Sequence, residues 1–440
     1  MNISLPSNVE KIISILEEAG HEAYAVGGCV RDSLLGRTPN DWDITTSAEP
    51  LEVKKLFKRT FDTGIQHGTV SVLLGKEIYE VTTYRIDGKY EDSRHPKEVS
   101  FTKSLSEDLR RRDFTINAMA YNPRTGIVDN FGGMDDLRCK IVRAVGNPEE
   151  RFGEDALRIL RAVRFAAQLG YSIDLETEKA IRDLAKNLKN ISAERIRTEL
   201  EKLITSDNPG YIRKAYELGI TGVVLPEFDR MMETPQNNPH HAYTVGEHTI
   251  RVMEGIGNTK ILRLTALLHD IEKPGTRTTD EKGIDHFYGH PAKGAKTAAE
   301  ILRRLRYDRD TEKLVSRLVE YHDWEIHAEV SDIRRWVNRI GEDCFPLMFE
   351  INKADFLAQS DFHREEKLKH LDSLAAAYDT MIKNGDCVSL KTLAVTGSDL
   401  IKEGFPAGPK IGEELNRLLS MVLDDPSKNN REYLLSQIHR

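Results

Sequence analysis

Asp41-Trp42-Asp43, two carboxylates separated by one residue, follows a Gly27-Gly28 turn and the turn-rich run Arg37-Thr38-Pro39-Asn40, and no other stretch constrains this chain as tightly. Read as a strand, Asp41 to Ile44 has a side-chain period of two that sets both acids on one face. Acids so placed can share Mg²⁺, a hard ion that takes carboxylate and triphosphate oxygens together. Upstream, Tyr24-Ala25-Val26-Gly27-Gly28-Cys29-Val30-Arg31-Asp32 reads as a short buried strand, a tight turn and a helix start. Backbone amides and Arg31 are then free to meet phosphate. Alone, a Gly-Gly turn or an Asp-x-Asp is an ordinary solvated turn. In this order, the pair predicts a phosphoryl- or nucleotidyl-transfer site. The third acid that two-metal chemistry needs is expected at Glu80, because Lys76-Glu77-Ile78-Tyr79-Glu80-Val81-Thr82-Thr83 reads as the next strand.

Gly27-Gly28, Asp41-x-Asp43, Glu80, Arg110-Arg111-Arg112-Asp113-Phe114-Thr115-Ile116-Asn117 and Glu154-Asp155-x-x-Arg158 come in the order of the class II tRNA nucleotidyltransferases. Over its first half the chain resembles that family, the CCA-adding enzymes and their poly(A) polymerase relatives. The resemblance implies catalytic acids Asp41, Asp43 and Glu80 with Mg²⁺ on Asp41 and Asp43, a triphosphate held by Gly28 and Arg31, and tRNA, CTP and ATP as partners. Asp155, Arg158, Arg161 and Arg164 recur every three residues and so follow one side of the helix expected over Arg151 to Leu169. Leu157, Leu160 and Val163 supply its apolar side. By resemblance, Asp155 and Arg158 read the base edge of the incoming nucleotide, Arg112, Arg161 and Arg164 complete the nucleotide site, and Asp113 lies near the ribose.

The loop Arg85-Ile86-Asp87-Gly88-Lys89-Tyr90-Glu91-Asp92-Ser93-Arg94-His95-Pro96 is polar and punctuated by Gly and Pro, as mobile surface loops are. In the family, a loop of this type goes with the switch to adding the terminal A, which disfavours an enzyme adding C alone. A poly(A) polymerase is the runner-up, although its relatives carry a Gly-Arg-Arg-Phe segment before the third acid where Thr69-Val70-Ser71-Val72-Leu73-Leu74-Gly75-Lys76 stands here. An enzyme adding only A remains open, since it keeps both the loop and the Asp155/Arg158 pair.

A length of 440 residues predicts about three domains. Net charge is −8, which taken alone argues against a nucleic-acid partner. Its distribution qualifies that: Lys+Arg against Asp+Glu is 20 to 22 over residues 1–145, 11 to 9 over 151–205, and 32 to 38 over 206–440. The acidity therefore sits mostly outside the motifs. No apolar run approaches the roughly 20 residues of a membrane span, and no signal peptide opens the chain. The four scattered cysteines predict a reducing, cytoplasmic setting. A monomer or homodimer is expected.

The expected fold is α+β. A mixed-sheet nucleotidyltransferase head spans 1–145, with strands at Ala23 to Val26, Trp42 to Ile44, Thr69 to Leu74 and Ile78 to Thr83 and helices at Asn8 to Ala19 and Pro50 to Lys58. An all-α neck follows over 146–232, and the Pro/Asn cluster Thr234 to Pro239 reads as a linker. A second constellation opens after it. Eight of the 14 histidines fall between His240 and His327, and His269-Asp270 closes the apolar helix Ile261 to Leu268. With His248, His290, His322 and Asp355, this resembles the HD phosphohydrolases and gives an expected domain at 240–360. Imidazole and carboxylate ligands suit a divalent transition metal, Ni²⁺, Mn²⁺ or Co²⁺, with an open position for water. His240, His241, His286 and His327 are read as surface or packing residues. A helical tail at 361–440, turning at Gly404 to Gly412, resembles family segments that meet tRNA. From a different class, the chain reads as an HD phosphohydrolase of nucleotide signalling with a sensory head.

Overall fold

β-branched and aromatic residues, which suit a pleated half-buried surface, build one seven-stranded sheet in the first part of the chain. The computed structural model describes residues 2–88 and 99–438, in two compact units, Met1–Pro226 and Glu227–Arg440. In the first unit the order is α1 (Ser7–Glu18), β1 (Ala23–Val26), α2 (Gly28–Leu34), β2 (Asp43–Thr46), α3 (Pro50–Leu56), β3 (Thr60–Gly64), β4 (Thr69–Leu74) and β5 (Glu77–Thr83). Then come β6 (Arg85–Asp87), β7 (Val99–Phe101), α4 (Leu105–Arg110), β8 (Met119–Asn122), β9 (Gly126–Asp129) and α5 (Gly133–Cys139). The sheet runs β3-β4-β5-β2-β1-β8-β9, with β2 and β5 parallel and the other pairs antiparallel. It is the mixed sheet expected of an α+β head.

Packing follows the periodicities. On α1 the buried residues Val9, Ile12, Ile13 and Leu16 repeat at three- and four-residue intervals, the apolar stripe of an amphipathic helix. Val26, Tyr84, Leu105, Leu109 and Ala120 form a buried cluster that fastens α4 to the sheet. Strands β3, β8 and β9 were not among those anticipated. β8 is buried along its whole length and so lacks the alternation that announces a strand, while β3 is mostly exposed.

A short pair, β10 (Ile141–Val142) and β11 (Ser172–Ile173), links the head to the helices that follow: α6 (Pro148–Glu154), α7 (Leu157–Leu169), α8 (Leu175–Leu184), α9 (Ala193–Ile204), α10 (Ile212–Glu217) and α11 (Thr221–Val224). The single helix expected over Arg151 to Leu169 is two. Its chain breaks at Asp155, which is extended at φ −139° and ψ 101° and whose carboxylate accepts the Leu157 amide at 3.1 Å. An acid that satisfies a free N–H at a helix start ends one helix and begins the next.

α12 (Pro226–Glu233) leads into the second unit. There α13 (Val245–Gly255), α14 (Lys260–Leu268) and α15 (Lys273–Thr276) precede a hairpin of β12 (Thr278–Thr279) and β13 (Asp285–His286). The rest is helical: α16 (His290–Arg304), α17 (Arg309–Tyr321), α18 (Val330–Ile340), α19 (Phe345–Ala358), α20 (Arg364–Asn384), α21 (Gly397–Lys402), α22 (Lys410–Asp424) and α23 (Arg431–Ser436). No described helix is long and apolar enough to cross a membrane.

The β1–α2 turn depends on Gly27. Its φ of +84° is a conformation L side chains rarely adopt, and a Cβ there would lie 2.9 Å from Arg112 Nη1. Gly27→Ala is therefore expected to cost about 1–3 kcal/mol of stability in the first unit, read as a lower urea midpoint.

Candidate active site and metal centre

Parallel pairing of β2 with β5 puts Asp43 opposite Glu80, so the two acids are cross-strand neighbours on one face. Asp41 lies just before β2, outside the strand expected to contain it, and all three acids line one cleft of about 810 Å³. Burial raises the Asp43 carboxyl above its ordinary value; Arg112 opposes this and Asp41 adds to it. Burial likewise raises Glu80, reinforced by the charges of Asp43 and Asp41. Asp43 and Glu80 thus resist ionising beside their neighbours, and a cation among the acids relieves that strain. The hard oxygens present fit Mg²⁺.

Around the Gly27 turn lie the arginines. Arg112 Nη2 stands 3.6 Å from Asp108, and its Nε has no hydrogen-bond partner among the described residues. Asp108 is fully buried, accepts from Arg111 and Thr45, and takes the Arg85 amide at 3.4 Å. Arg31 is buried rather than open to phosphate: it pairs with Asp32 and donates to Asn117 Oδ1 at 2.6 Å. Three guanidinium groups surround the Phe165 ring, Arg164 at 3.4 Å from its centroid, Arg31 at 5.1 Å and Arg161 at 5.2 Å.

Asp113 and Arg161 form the tightest pair of this region. Arg161 Nε and Nη2 reach Asp113 Oδ2 at 2.8 and 2.6 Å, while Asp113 Oδ1 accepts from the Phe114 amide and Asn117. Asp113 is thereby an anchor for Arg161, with its oxygens already engaged. Arg164 pairs with Glu199 of α9 at 2.8 Å and donates to Gln168. Asp155 and Arg158 do not pair with each other. Asp155 takes a two-pronged contact from Arg195 of α9 at 3.3 and 2.7 Å; Arg158 reaches Glu154 and the Arg111 and Arg151 carbonyls. Sequence reasoning missed Asp108, which joins the neighbouring Arg111 to the remote Thr45 and Arg85 amide, and Arg195 and Glu199, whose partners Asp155 and Arg164 lie far off in the chain. Of the loop from Arg85 to Pro96, residues 89–96 lie outside the described residues.

In the second unit, α14 ends at His269, and Asp270 sits amid imidazoles. Asp270 Oδ2 is 3.2 Å from His269 Nε2 and 3.7 Å from His248 Nε2; Oδ1 is 3.3 Å from His290 Nε2 and 3.6 Å from His322 Nε2. Asp355 Oδ1 lies 2.8 Å from His248 Nε2. The Nδ1 atoms of His269, His290 and His322 face the Ala266, Phe287 and Val319 carbonyls at 2.8, 2.8 and 2.7 Å. A proton on each Nδ1 turns the Nε2 lone pairs inward, the outer-sphere arrangement of metal-bound histidines. His290 and His322 bring those Nε2 atoms within 3.3 Å of each other. Two donor sets, His248-His269-Asp270 and Asp270-His290-His322, each gather their ligand atoms within 4.8 Å, and the donor types fit a divalent transition metal.

Two further groups enter this centre. Lys273 is buried with Nζ 2.8 Å from Asp270 Oδ2. His241, read from sequence as a packing residue, lines the same cavity of about 280 Å³ with its ring 5.4 Å from that of His248. Burial, together with the nearby Lys273 charge, pushes the His241 imidazole down to about 3, so it is neutral at pH 7. His286 stacks on the exposed Tyr288 and pairs with Asp280, and His240 packs against Phe362.

Comparison with known proteins agrees with this architecture. Residues 23–143 match the family model Poly A polymerase head domain, 170–232 the RNA and SrmB-binding site of polymerase A, and 289–438 the tRNA nucleotidyltransferase domain 2. A CCA-adding enzyme of Lacticaseibacillus paracasei is 37% identical over 96% of this chain and 94% of that protein. One from Lactiplantibacillus plantarum is 52% identical over 221 residues, 50% of this chain; in that alignment the chain spans only about half, 53%, of the relative. Among solved structures, the Bacillus stearothermophilus CCA-adding enzyme in complex with CTP superposes with a TM-score of 0.68 at 28% identity, covering 97% of this chain and 95% of the other. The Thermotoga maritima CCA-adding enzyme complexed with tRNA shares the fold at a TM-score of 0.58 and 23% identity, over 99% and 98%.

Burial pushes the Asp113 carboxyl up, but Arg161, Arg158 and Asn117 outweigh it and hold the group well below the usual carboxylate range. The pair therefore contributes its full stability above the unfolded value of about 3.9 and loses it as pH falls toward the folded one. Asp113→Asn is expected to lower stability by about 3–5 kcal/mol at pH 7 and by about 1 kcal/mol less than that near pH 3. Urea unfolding at the two pH values checks this.

Proposed function

The chain belongs to the family of CCA-adding enzymes, and on that premise we propose that it builds and repairs the 3′-terminal CCA of tRNA from CTP and ATP without a nucleic-acid template. The observation that carries the reading is the in-register Asp43–Glu80 pair, with Asp41 beside it, next to an arginine-flanked glycine turn. Asp41, Asp43 and Glu80 would hold Mg²⁺, which when bound favours the ionised primer hydroxyl and neutralises charge on the transferred phosphate. Gly28 keeps the turn open to the triphosphate with Arg112 beside it, while Arg31, held by Asp32 and Asn117, orders the helix behind the turn. Asp113 holds Arg161 in place by two hydrogen bonds, so that the guanidinium meets the nucleotide in one orientation.

Base choice rests on Asp155 and Arg158. Cytosine and adenine each present an amino donor beside a ring-nitrogen acceptor, and a carboxylate next to a guanidinium answers both. Each of the two now holds another partner, Arg195 for Asp155 and Glu154 for Arg158. Exchange of those partners for a base edge selects the nucleotide as the primer advances. Lys273 and the six candidate ligands of the second unit support a separate, metal-dependent phosphohydrolase activity on phosphomonoesters or 2′,3′-cyclic phosphates. There His248, His269, Asp270, His290, His322 and Asp355 would hold Ni²⁺, Mn²⁺ or Co²⁺, which when bound lowers the pKa of water to give a nucleophile. Lys273 adds positive charge where a phosphate oxygen would lie.

Transcripts of tRNA lacking three, two or one 3′ nucleotides, incubated with each NTP separately, test the main reading: all three are expected to be extended to CCA, and extension of the last alone would make the chain an A-adding enzyme. Asp41→Ala and Asp43→Ala are expected to lower kcat for C and A alike by about 10³-fold or more with unchanged far-UV circular dichroism. His269→Ala is expected to remove Ni²⁺- or Mn²⁺-dependent hydrolysis of 2′,3′-cyclic nucleotides, assayed directly, and to leave CTP incorporation within about two-fold.

A further inference from the structure

The sheet face that bears Asp43 and Glu80 continues beyond them. Glu80 is paired across β4 with Ser71, and Ser71 across β3 with Phe61. Residues directly opposed in a ladder share a face, so Phe61 stands on the face of the acids, about 10 Å from Glu80 at two strand spacings. Along β5, Ile78 precedes Glu80 by two residues and points the same way; Leu73 is its partner on β4. The alternate residues, Val70, Val72, Tyr79 and Val81, are buried on the other side. Two contacts fix the orientation of β3: Thr63 meets the Ser71 hydroxyl at 2.7 Å on this face, and Asp62 meets Lys54 of α3.

Large apolar side chains are thus held open to solvent beside the acids. Ile78 is 61% exposed and Phe61 49%, and Leu73 between their strands is half-buried. An exposed apolar patch of this kind marks a contact surface. The cleft that holds Ile78 together with Asp41, Asp43 and Glu80 is also lined by Pro6, Pro39 and Trp42, with no Lys or Arg among its lining residues. A triphosphate has no side-chain cation to meet there. The arginines lie on the β1, α2 and α7 side.

We propose that Phe61, Leu73 and Ile78 form a platform for the unpaired 3′-terminal nucleosides of the RNA primer, with the terminal sugar against Ile78 and a preceding base stacked on Phe61. This rests on the nucleotidyl-transfer reading of the acids. Bases have apolar faces, and aromatic side chains on an open sheet surface stack them. Stacking also ignores base identity. A primer whose end changes with each addition needs that tolerance, while the incoming nucleotide is selected elsewhere.

Steady-state kinetics on tRNA lacking CCA, with Phe61→Ser, Ile78→Ser and the conservative Phe61→Trp, tests the platform. Phe61→Ser is expected to raise KM for tRNA by roughly 5- to 100-fold, the loss of one stacked base, and Ile78→Ser by less, with KM for CTP within two-fold in both; Phe61→Trp should restore the tRNA value. A tRNA carrying 2-aminopurine at the nucleotide before its 3′ end should be quenched by the wild type and Phe61→Trp and not by Phe61→Ser. Unchanged tRNA KM and quenching in the serine variants would overturn the proposal, as would a rise in KM confined to CTP. Failure of the wild type to extend any tRNA would instead overturn the reading on which it rests. Melting curves check that the variants, altered at exposed positions, stay folded.

Discussion

The pairing of β2 with β5 is the constraint on which the first unit turns. These neighbours run parallel in a sheet whose other pairs are antiparallel, and their register sets Asp43 beside Glu80. A slip of one residue would send Glu80 to the buried face, where Tyr79 and Val81 now lie. The apolar face of β5 therefore specifies the site: burying Val81 is what turns Glu80 toward Asp43. Carboxylates held this close repel, and the fold carries that cost because the surrounding core over-determines the strand positions.

Around the acids, arginines are positioned by acids of their own. Asp113 holds Arg161, Glu199 holds Arg164, Asp108 faces Arg112 and Arg195 holds Asp155. Such pairs fix cationic groups in the chain before any phosphate arrives, so less side-chain freedom is lost on binding. They also tie elements together. Asp108 is at once the partner of Arg111, the acceptor for Thr45 on β2 and the acceptor for the backbone that starts β6. The second unit uses the opposite economy. Backbone carbonyls take the Nδ1 side of His269, His290 and His322, leaving six potential ligands and Lys273 to face one another across Asp270.

Local chemistry made part of this legible. Gly27-Gly28 has a positive φ and a helix start behind it, as a tight turn before a strand-to-helix transition requires. β1 and β4 have the expected limits, because their apolar runs are short and bounded by turns. The helix through Asp155 reads as continuous for an equally local reason: three-residue spacing of charges looks unbroken, and a carboxylate that caps its own following turn does not announce itself. His241 reads as a surface or packing residue because a lone histidine has no periodicity to place it.

Residue type and order determined by themselves which acids and histidines the chain offers for chemistry, and that its first half matches the motifs of one family, since each motif is carried by residues close in sequence. Tertiary structure alone decided what those groups meet. Arg31 turns into a buried pair, Asp113 becomes an anchor, and Asp155 takes Arg195 in place of Arg158. Register across three strands sets Phe61 on the face of Glu80, though 18 residues lie between them in the chain. The physical reason is one of range: turns, caps and strand alternation act over a few residues and are written in the local sequence, whereas ion pairs and cross-strand neighbours join residues tens of positions apart and exist only once the chain has packed.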